Sequence, residues 1–254
     1  MEKGFGEYVR TWLRQPFDFE WTINHLRSRG FLRVHQVSIG AFSLLYGLTA
    51  LLTVLWGRAD GGAVNNYGLV LVIALSSTAL GVLWIFGHWP TERQSTAFAV
   101  YADVAVLTVI LCYEDAFTAM PGLALLATNG IYIVVVHGPR ALLIHLAFTA
   151  AAFGWLYGLA IVQGSVPVTL ITVRLLVLLP TVVGVPVIVQ SHLLALRMGA
   201  IDALHDPLTR LHNRRGLDAE IEQLVPASGR QIGVLAIDID KFKAINDAYG
   251  HEAG

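Results

Sequence analysis

The chain has 254 residues, of which 55% are hydrophobic and 14% charged, with a formal net charge of −1 and a mean hydropathy of +0.61. Soluble domains carry about 25% charged residues and disordered chains are polar and highly charged, so neither class describes the bulk of this sequence. The near-neutral balance gives no basic field for nucleic acid, and the single cysteine, Cys112, leaves no internal disulfide to form.

The charges are unevenly placed. Residues 1–33 hold ten, residues 34–196 hold nine and residues 197–254 hold sixteen. The first stretch is a polar N-terminal segment. Within it, residues 5–21 interleave Phe5, Tyr8, Trp12, Phe17, Phe19 and Trp21 with Arg10 and Arg14. This pattern fits either a short amphipathic helix lying in the headgroup region or a loosely ordered tail.

The middle block contains apolar windows long enough for the roughly 20 residues that a bilayer-spanning helix needs. They predict six transmembrane helices, over about 36–56, 67–87, 95–113, 117–137, 141–162 and 168–190. Orientation follows from Lys and Arg near the span ends. Lys3, Arg10, Arg14, Arg27, Arg29 and Arg33 precede the first span, and Arg93 and Arg140 lie in the second and fourth loops. Of the other three loops only the first has a basic residue, Arg58, and the third is acidic through Glu114 and Asp115. Both termini are therefore expected in the cytoplasm. No cleaved signal peptide is expected, because the first apolar segment starts after residue 33 and is long enough to span.

Asp103 and Arg174 are charges well inside spans, where a charge is costly and is usually paired or faces a cavity. Asp103 lies about 15 Å from the outer end of span three, and Arg174 about 9–12 Å from that of span six. An Asp103–Arg174 contact is one expectation. The other is that Arg174 snorkels outward while Asp103 faces a wet cavity or is protonated. Either way the two residues mark the block's candidate ligand or gating site. His35, His88, His137 and His192 fall near predicted cytoplasmic ends and His145 inside span five. No pair has i, i+3 or i+4 spacing and no Cys/His signature occurs, so neither haem nor metal is expected in the block. Pro180 and Pro186, with Gly184 between them, predict a kink in span six.

Residues 187–204 continue as a transmitter helix, with Val187, Leu194, Ile201 and Leu208 at a seven-residue repeat that Gln190 and Arg197 weaken. Pro207 disfavours helix at Asp206. Asn213 is a good N-cap for a helix over about 214–224, on which Leu217, Ile221 and Leu224 form an apolar stripe. Residues 232–237 read as a buried strand. Asp238 and Asp240 follow it, two positions apart and so on one face of an extended chain. Such carboxylates suit Mg²⁺ shared with phosphates. Residues 242–249 read as a helix ended by Gly250, with Phe242 and Asn246 as neighbours one turn apart. The Asn246 amide offers both a donor and an acceptor to a base edge.

The stretch from Asp238 to Gly254, Asp-Ile-Asp-Lys-Phe-Lys-Ala-Ile-Asn-Asp-Ala-Tyr-Gly-His-Glu-Ala-Gly, resembles the first core motif of the GGDEF domains, the diguanylate cyclases. Asp206, Leu208, Thr209, Leu211, Asn213, Arg214 and Arg215 resemble the family's opening motif, D-x-L-T-G-L-x-N-R-R. Arg210 stands where the family usually has glycine. The resemblance covers about residues 202–254. It implies that the membrane bundle is followed by the start of an α/β ferredoxin-like domain related to nucleotidyl cyclases. The implied reaction joins two GTP into cyclic di-GMP and releases two pyrophosphates, each subunit of a homodimer presenting one GTP.

By motif position, Asp238 would be a metal ligand and Ile239 would offer its backbone carbonyl, with two Mg²⁺ per complete site. Asn246 would hydrogen-bond guanine, Lys243 would help hold phosphate and Phe242 would lie over the triphosphate turn. Asp206, Asn213, Arg214 and Arg215 would be structural. The organisation expected is an N-terminal segment (1–33), a six-span sensor (34–190), a transmitter helix (187–204) and an incomplete GGDEF domain (205–254). The whole would sit in a bacterial inner membrane. The family has an aspartate at the position after Gly254 and its namesake hairpin farther on, so the 254-residue chain is expected to be inactive alone. A noncatalytic GGDEF-like scaffold and a small-solute transporter built on Asp103 and Arg174 are the competing expectations.

Overall fold

The computed structural model describes residues 6, 17–59, 64–206, 208–218, 220–221, 233, 235 and 237. The chain divides into a unit of residues 1–196 and a unit of residues 197–254.

In the first unit, six helical stretches are long and apolar enough to cross a bilayer: Leu32–Gly57, Tyr67–Phe86, Glu92–Leu111, Ala116–Val136, Gly138–Gln163 and Val168–Leu196. Each overlaps one of the six predicted spans. A short helix, α1 (Phe19–Ser28), comes first. The Asp18 carboxylate caps it by accepting the Trp21 amide at 3.0 Å. Phe19 and Ile23 are buried in a cluster with Trp84, Tyr132 and Val136, while Trp21 is exposed. One face of α1 thus packs on protein. Of the expected aromatic segment 5–21, residues 5 and 7–16 lie outside those described.

Spans one and two are α2 (Leu32–Ala59) and α3 (Tyr67–Phe86), the most extensive helix pair among the described residues. Gly47 permits their close approach. A Cβ there would stand 2.9 Å from the Ala74 carbonyl oxygen and closer still to Thr78 Oγ1, and such small-residue contacts let apolar helices pack without a hydrophobic driving force between them. Span three is α4 (Glu92–Leu111), opened by a Thr91–Gln94 capping box.

Span four is not one continuous α-helix. The short α5 (Ala116–Ala119) gives way to a 3₁₀ turn (Met120–Ala124) at Pro121, and α6 (Leu125–Val136) follows. Gly138, at φ +76°, makes the tight turn into span five, α7 (Gly138–Gln163). Span six begins as α8 (Val168–Leu179), passes through a π turn (Pro180–Gly184) and resumes as α9 (Val185–Asp202). The Val185 amide donates to the Pro180 carbonyl, five residues back. The expected disruption at the prolines is thus a π turn, since neither proline has an N–H to continue the α ladder.

The loops gather at two ends of this unit. Loops one and three are joined by a Val64–Tyr113 bridge and by the Asn65 amide on the Cys112 carbonyl at 2.7 Å. Loop five joins them through the Ser165 hydroxyl on Asp115 at 2.6 Å. Burial works against the Asp115 carboxylate, yet donors from Ser165, Thr118 and Phe117 outweigh it and hold the group below the usual carboxylate range. At the other end, Arg33 donates to the Ile85 carbonyl and Gln36 to that of Gly87. The main core lies between α4 and span six, around Met120, Leu123, Leu126, Leu156, Ile171 and Val182. Leu75, Leu83, Phe86, Ile144, Val162 and Val177 point outward, as side chains facing lipid do.

Candidate functional site

Two constellations stand out. The first is inside the six-span unit. Asp103 on α4, Asn129 on α6 and His145 on α7 are all buried. Asn129 Nδ2 donates to Asp103 Oδ1 at 2.7 Å and to the Ala99 carbonyl at 3.0 Å. His145 Nδ1 lies 2.9 Å from Asp103 Oδ2. Both carboxylate oxygens are therefore engaged. A buried carboxylate is tolerated only when its oxygens are met in this way. Asn129 also lines a cavity of about 250 Å³ between α2, α4 and α6, whose walls include Phe42, Ser43, Tyr46, Phe98 and Tyr132.

Asp103 and Arg174 are not brought together. Arg174 Nη1 instead donates to the Phe117 carbonyl at 2.6 Å, and its guanidinium stacks 3.5 Å from the Phe117 ring centroid. Phe117 sits at the start of span four, close to the loops, so the long Arg side chain turns toward its own end of the helix and covers its charge with a carbonyl and a ring face. His145, the partner Asp103 does have, enters seven residues into α7, and Asp103 lies eleven residues into α4 from the same end. The two depths differ by four residues, about 6 Å, so depth alone does not select the partner.

A second buried polar group lies nearer the end that carries α1. Ser95 Oγ is 2.5 Å from the Tyr132 hydroxyl and 2.9 Å from His137 Nε2. His137 also stacks on Phe19 and meets Tyr132 edge-on. Burial dominates the opposing Ser95 hydrogen bond and the Glu92 charge, and holds this imidazole below the usual histidine range.

The second constellation is the turn at residues 204–217, within the C-terminal unit. Asp206 Oδ1 accepts the Leu208 and Thr209 amides at 3.0 and 2.8 Å and the Thr209 hydroxyl at 3.0 Å. These bonds, the Thr209 amide foremost, keep the carboxyl below the usual range. The Asp206 amide donates to the Leu211 carbonyl, and the Arg210 amide to the Asp206 carbonyl. Asn213 works in both directions. Its Nδ2 donates to the Ala203 carbonyl at 2.8 Å, and its Oδ1 accepts the Gly216 amide at 3.0 Å. That second bond is the N-cap of the helical residues 214–218. Arg214 and Arg215 are exposed on its first turn. His205 and His212 form an antiparallel bridge with ring centroids 4.6 Å apart.

Arg210 adopts φ +61°, alone among the described non-glycine residues in that region, where glycine is favoured. The aspartate, threonine, asparagine and glycine-position residues of the motif are thus the parts of one self-bonded turn.

Of the predicted strand 232–237, Gly233, Leu235 and Ile237 are described. They pair in no strand, and Leu235 and Ile237 are 84% and 85% exposed. No strand partner lies among the described residues to cover them. Asp238, Ile239, Asp240, Phe242, Lys243 and Asn246 lie outside the described residues. Among the described residues no three His, Cys, Asp or Glu side chains cluster as a metal site would require.

Residues 203–254 match the family "Diguanylate cyclase, GGDEF domain". Over 55 residues the chain is 51% identical to the bifunctional diguanylate cyclase/cyclic di-GMP phosphodiesterase MucR of Pseudomonas aeruginosa, covering 20% of this chain and 8% of that one. It is 49% identical over 53 residues to the diguanylate cyclase VdcA of Vibrio cholerae, covering 21% and 15%. Against the response regulator PleD of Caulobacter vibrioides it is 46% identical over 55 residues, covering 20% and 12%. The chain therefore spans less than a sixth of the length of each of these relatives. No solved structure matches it. Residues 203–254 are thus similar to the GGDEF domains of diguanylate cyclases, and the self-bonded turn at Asp206–Asn213 lies at the start of the matched stretch.

Proposed function

We propose that this protein is a membrane-bound diguanylate cyclase, converting two GTP into cyclic di-GMP and two pyrophosphates, with output governed by its six-span region. The observation that carries the reading is the GGDEF match over residues 203–254 on a chain with six helices apolar enough to cross a bilayer. In this reading residues 1–33 are a cytoplasmic segment, 34–190 the sensor, 187–204 the transmitter helix and 205–254 part of the catalytic domain, with a ferredoxin-like fold. The basic residues before span one and in loops two and four support cytoplasmic termini at a bacterial inner membrane.

The Asp238 carboxylate and the Ile239 carbonyl are hard oxygen donors, a set suited to Mg²⁺. Bound Mg²⁺ supplies charge stabilisation at transferring phosphoryl groups. Asn246 reads the guanine edge through its amide, Lys243 offers its ammonium to phosphate, and Phe242 covers the triphosphate turn. Two subunits are needed, since each 3′-hydroxyl attacks the α-phosphate held by the other, expelling pyrophosphate.

The test uses the protein expressed from its own gene, in membranes, supplied with GTP and Mg²⁺. Cyclic di-GMP is followed by mass spectrometry. Product formation that is abolished by Asp238→Ala, with Asn246→Ala raising KM for GTP, is the expected result. Binding of GTP without turnover would make the protein a signalling scaffold, and neither binding nor turnover would leave function to the membrane block.

A further inference from the structure

His145 has one ring nitrogen to spare. Its Nδ1 is engaged by Asp103, and its Nε2 is buried with no hydrogen-bond partner among the described residues. That nitrogen points at a specific place. A Cβ on Gly130 would stand 2.9 Å from His145 Nε2 and 2.7 Å from the Pro186 ring. The absence of a side chain at Gly130 lets the imidazole edge and the last span meet at one point. Pro186 stands in the first turn of α9, directly after the π turn, and supplies no N–H. The carbonyls of the turn before it are therefore short of one donor. Thr149, one turn along α7 on the same face as His145, and Gln190, one turn along α9 from Pro186, also carry buried oxygens without partners among the described residues.

We propose that Asp103 and His145 form a proton-binding site inside the membrane unit, and that its occupancy sets the conformation of the last span at the π turn. The chemistry follows from the geometry. With Asp103 ionised and His145 neutral, Nδ1–H is donated to the carboxylate and Nε2 holds a lone pair. The cluster then carries one buried negative charge, which is costly in a bilayer. A proton entering from the aqueous side adds to the Nε2 lone pair. The Nδ1 bond is kept and the charge of the pair is neutralised. Nε2 changes from acceptor to donor, and what it faces across Gly130 is the apolar Pro186 ring of span six, which accepts no hydrogen bond. The two occupancies thus differ in their interaction with span six, which a ligand must do in order to shift a conformation.

The titratable and charged groups on the surrounding helices are otherwise engaged. Tyr46 on α2 donates to the Leu125 carbonyl, Tyr101 on α4 meets Ser76 and Ser77, Tyr132 on α6 meets Ser95, Tyr157 on α7 itself meets Thr172 on α8, and Arg174 on α8 is held by Phe117. This inference stands on the six-span unit and does not depend on the cyclase reading.

The experiment places the full chain in lipid nanodiscs with ¹⁵N-labelled histidine. His145 is identified by the signals lost in His145→Gln, and its ring nitrogens are followed from about pH 8 to pH 5. Hydrogen exchange of amides 181–185 is measured in parallel. We expect the His145 Nε2 signal to report proton binding, with a coincident change in exchange at 181–185. Both changes should be lost in Asp103→Asn. Gly130→Ala, which fills the point between Nε2 and Pro186, should keep the titration and lose the exchange response. An Nε2 signal that stays constant, a titration identical in Asp103→Asn, or exchange at 181–185 that ignores both pH and Gly130→Ala would each overturn the proposal.

Discussion

His145 Nδ1 and Asp103 Oδ2 are 2.9 Å apart across 42 positions of sequence, and both residues are buried. Removing one partner leaves the other buried without its hydrogen bond, at a cost of about 1–3 kcal/mol and more for a charged group. His145→Leu should therefore destabilise the membrane unit by about that much. Asp103→Leu combined with His145→Leu should cost far less than the two single changes together, because the double variant leaves no orphaned charge. Unfolding of the four proteins in mixed micelles, followed by far-UV circular dichroism, gives the coupling directly.

The Arg174–Phe117 contact separates into a stack and a hydrogen bond. The carbonyl that accepts from Arg174 belongs to the backbone of residue 117, so Phe117→Leu removes the ring and keeps the acceptor. Its cost should be about 1 kcal/mol. Arg174→Leu loses both contacts and should cost more. Equal losses in the two variants, measured by the same unfolding assay, would mean that the ring carries the interaction by itself.

Helices were the legible part of this sequence, because charge-free windows of bilayer length report burial in lipid whatever the packing. Partners were less legible. Asp103 and Arg174 attracted each other on paper because formal charge is visible in a sequence, while the neutral-capable imidazole of His145 and the amide of Asn129 are not counted as charges. Hydrogen-bonding capacity within reach, rather than formal charge, selected the partner. The substitution of Arg210 for the usual glycine could be seen but not interpreted until its positive φ was known. Pro121, in span four, was visible too, yet whether a proline ends a helix, bends it or tightens it to 3₁₀ depends on what packs beside it. Asn213 was readable as a cap because it acts on backbone three positions on, whereas at Asp206 only the end of a helix before Pro207 was readable.

His137 predicts an acid sensitivity. Its imidazole is held below the usual histidine range, first by burial. The folded state resists a proton that the unfolded chain accepts once the pH falls below about 6.5. Stability is therefore full above that pH and declines as the pH drops toward the lowered folded value. Thermal unfolding of the chain in detergent across this window should show the decline. His137→Asn should flatten its slope, with the Ser95 contact within reach of the shorter amide.

Gly138 tests the turn between spans four and five. It combines φ +76° with a Phe17 ring whose nearest atom would stand 2.7 Å from an added Cβ. Gly138→Ala therefore meets two penalties. The left-handed conformation costs an L-residue about 1–2 kcal/mol, and the ring must also move. The loss should exceed that of Gly154→Ala, where nothing lies within 4 Å of the added carbon and the helix gains up to about 1 kcal/mol in propensity. Comparing their melting temperatures isolates the turn.

Arg210 offers the converse test, in which a substitution should stabilise. Its φ of +61° lies inside the turn that Asp206 and Thr209 close. Arg210→Gly removes the steric cost of that conformation, about 1–2 kcal/mol, and gives back part of it through the greater freedom of glycine in the unfolded chain. The Asp206 bonds do not involve the Arg side chain, so they survive the change. The net effect should be slower hydrogen exchange at the amides of Leu208, Thr209 and Leu211. Asp206→Ala should do the opposite at the same amides, since it removes the acceptor shared by two of them. Because the Asp206 carboxyl is held below its usual range, the turn's stability is present above about pH 3.9 and is lost as the pH falls through the lowered folded value. If Arg210→Gly instead speeds exchange at Thr209, the Arg side chain contributes contacts that outweigh its backbone strain.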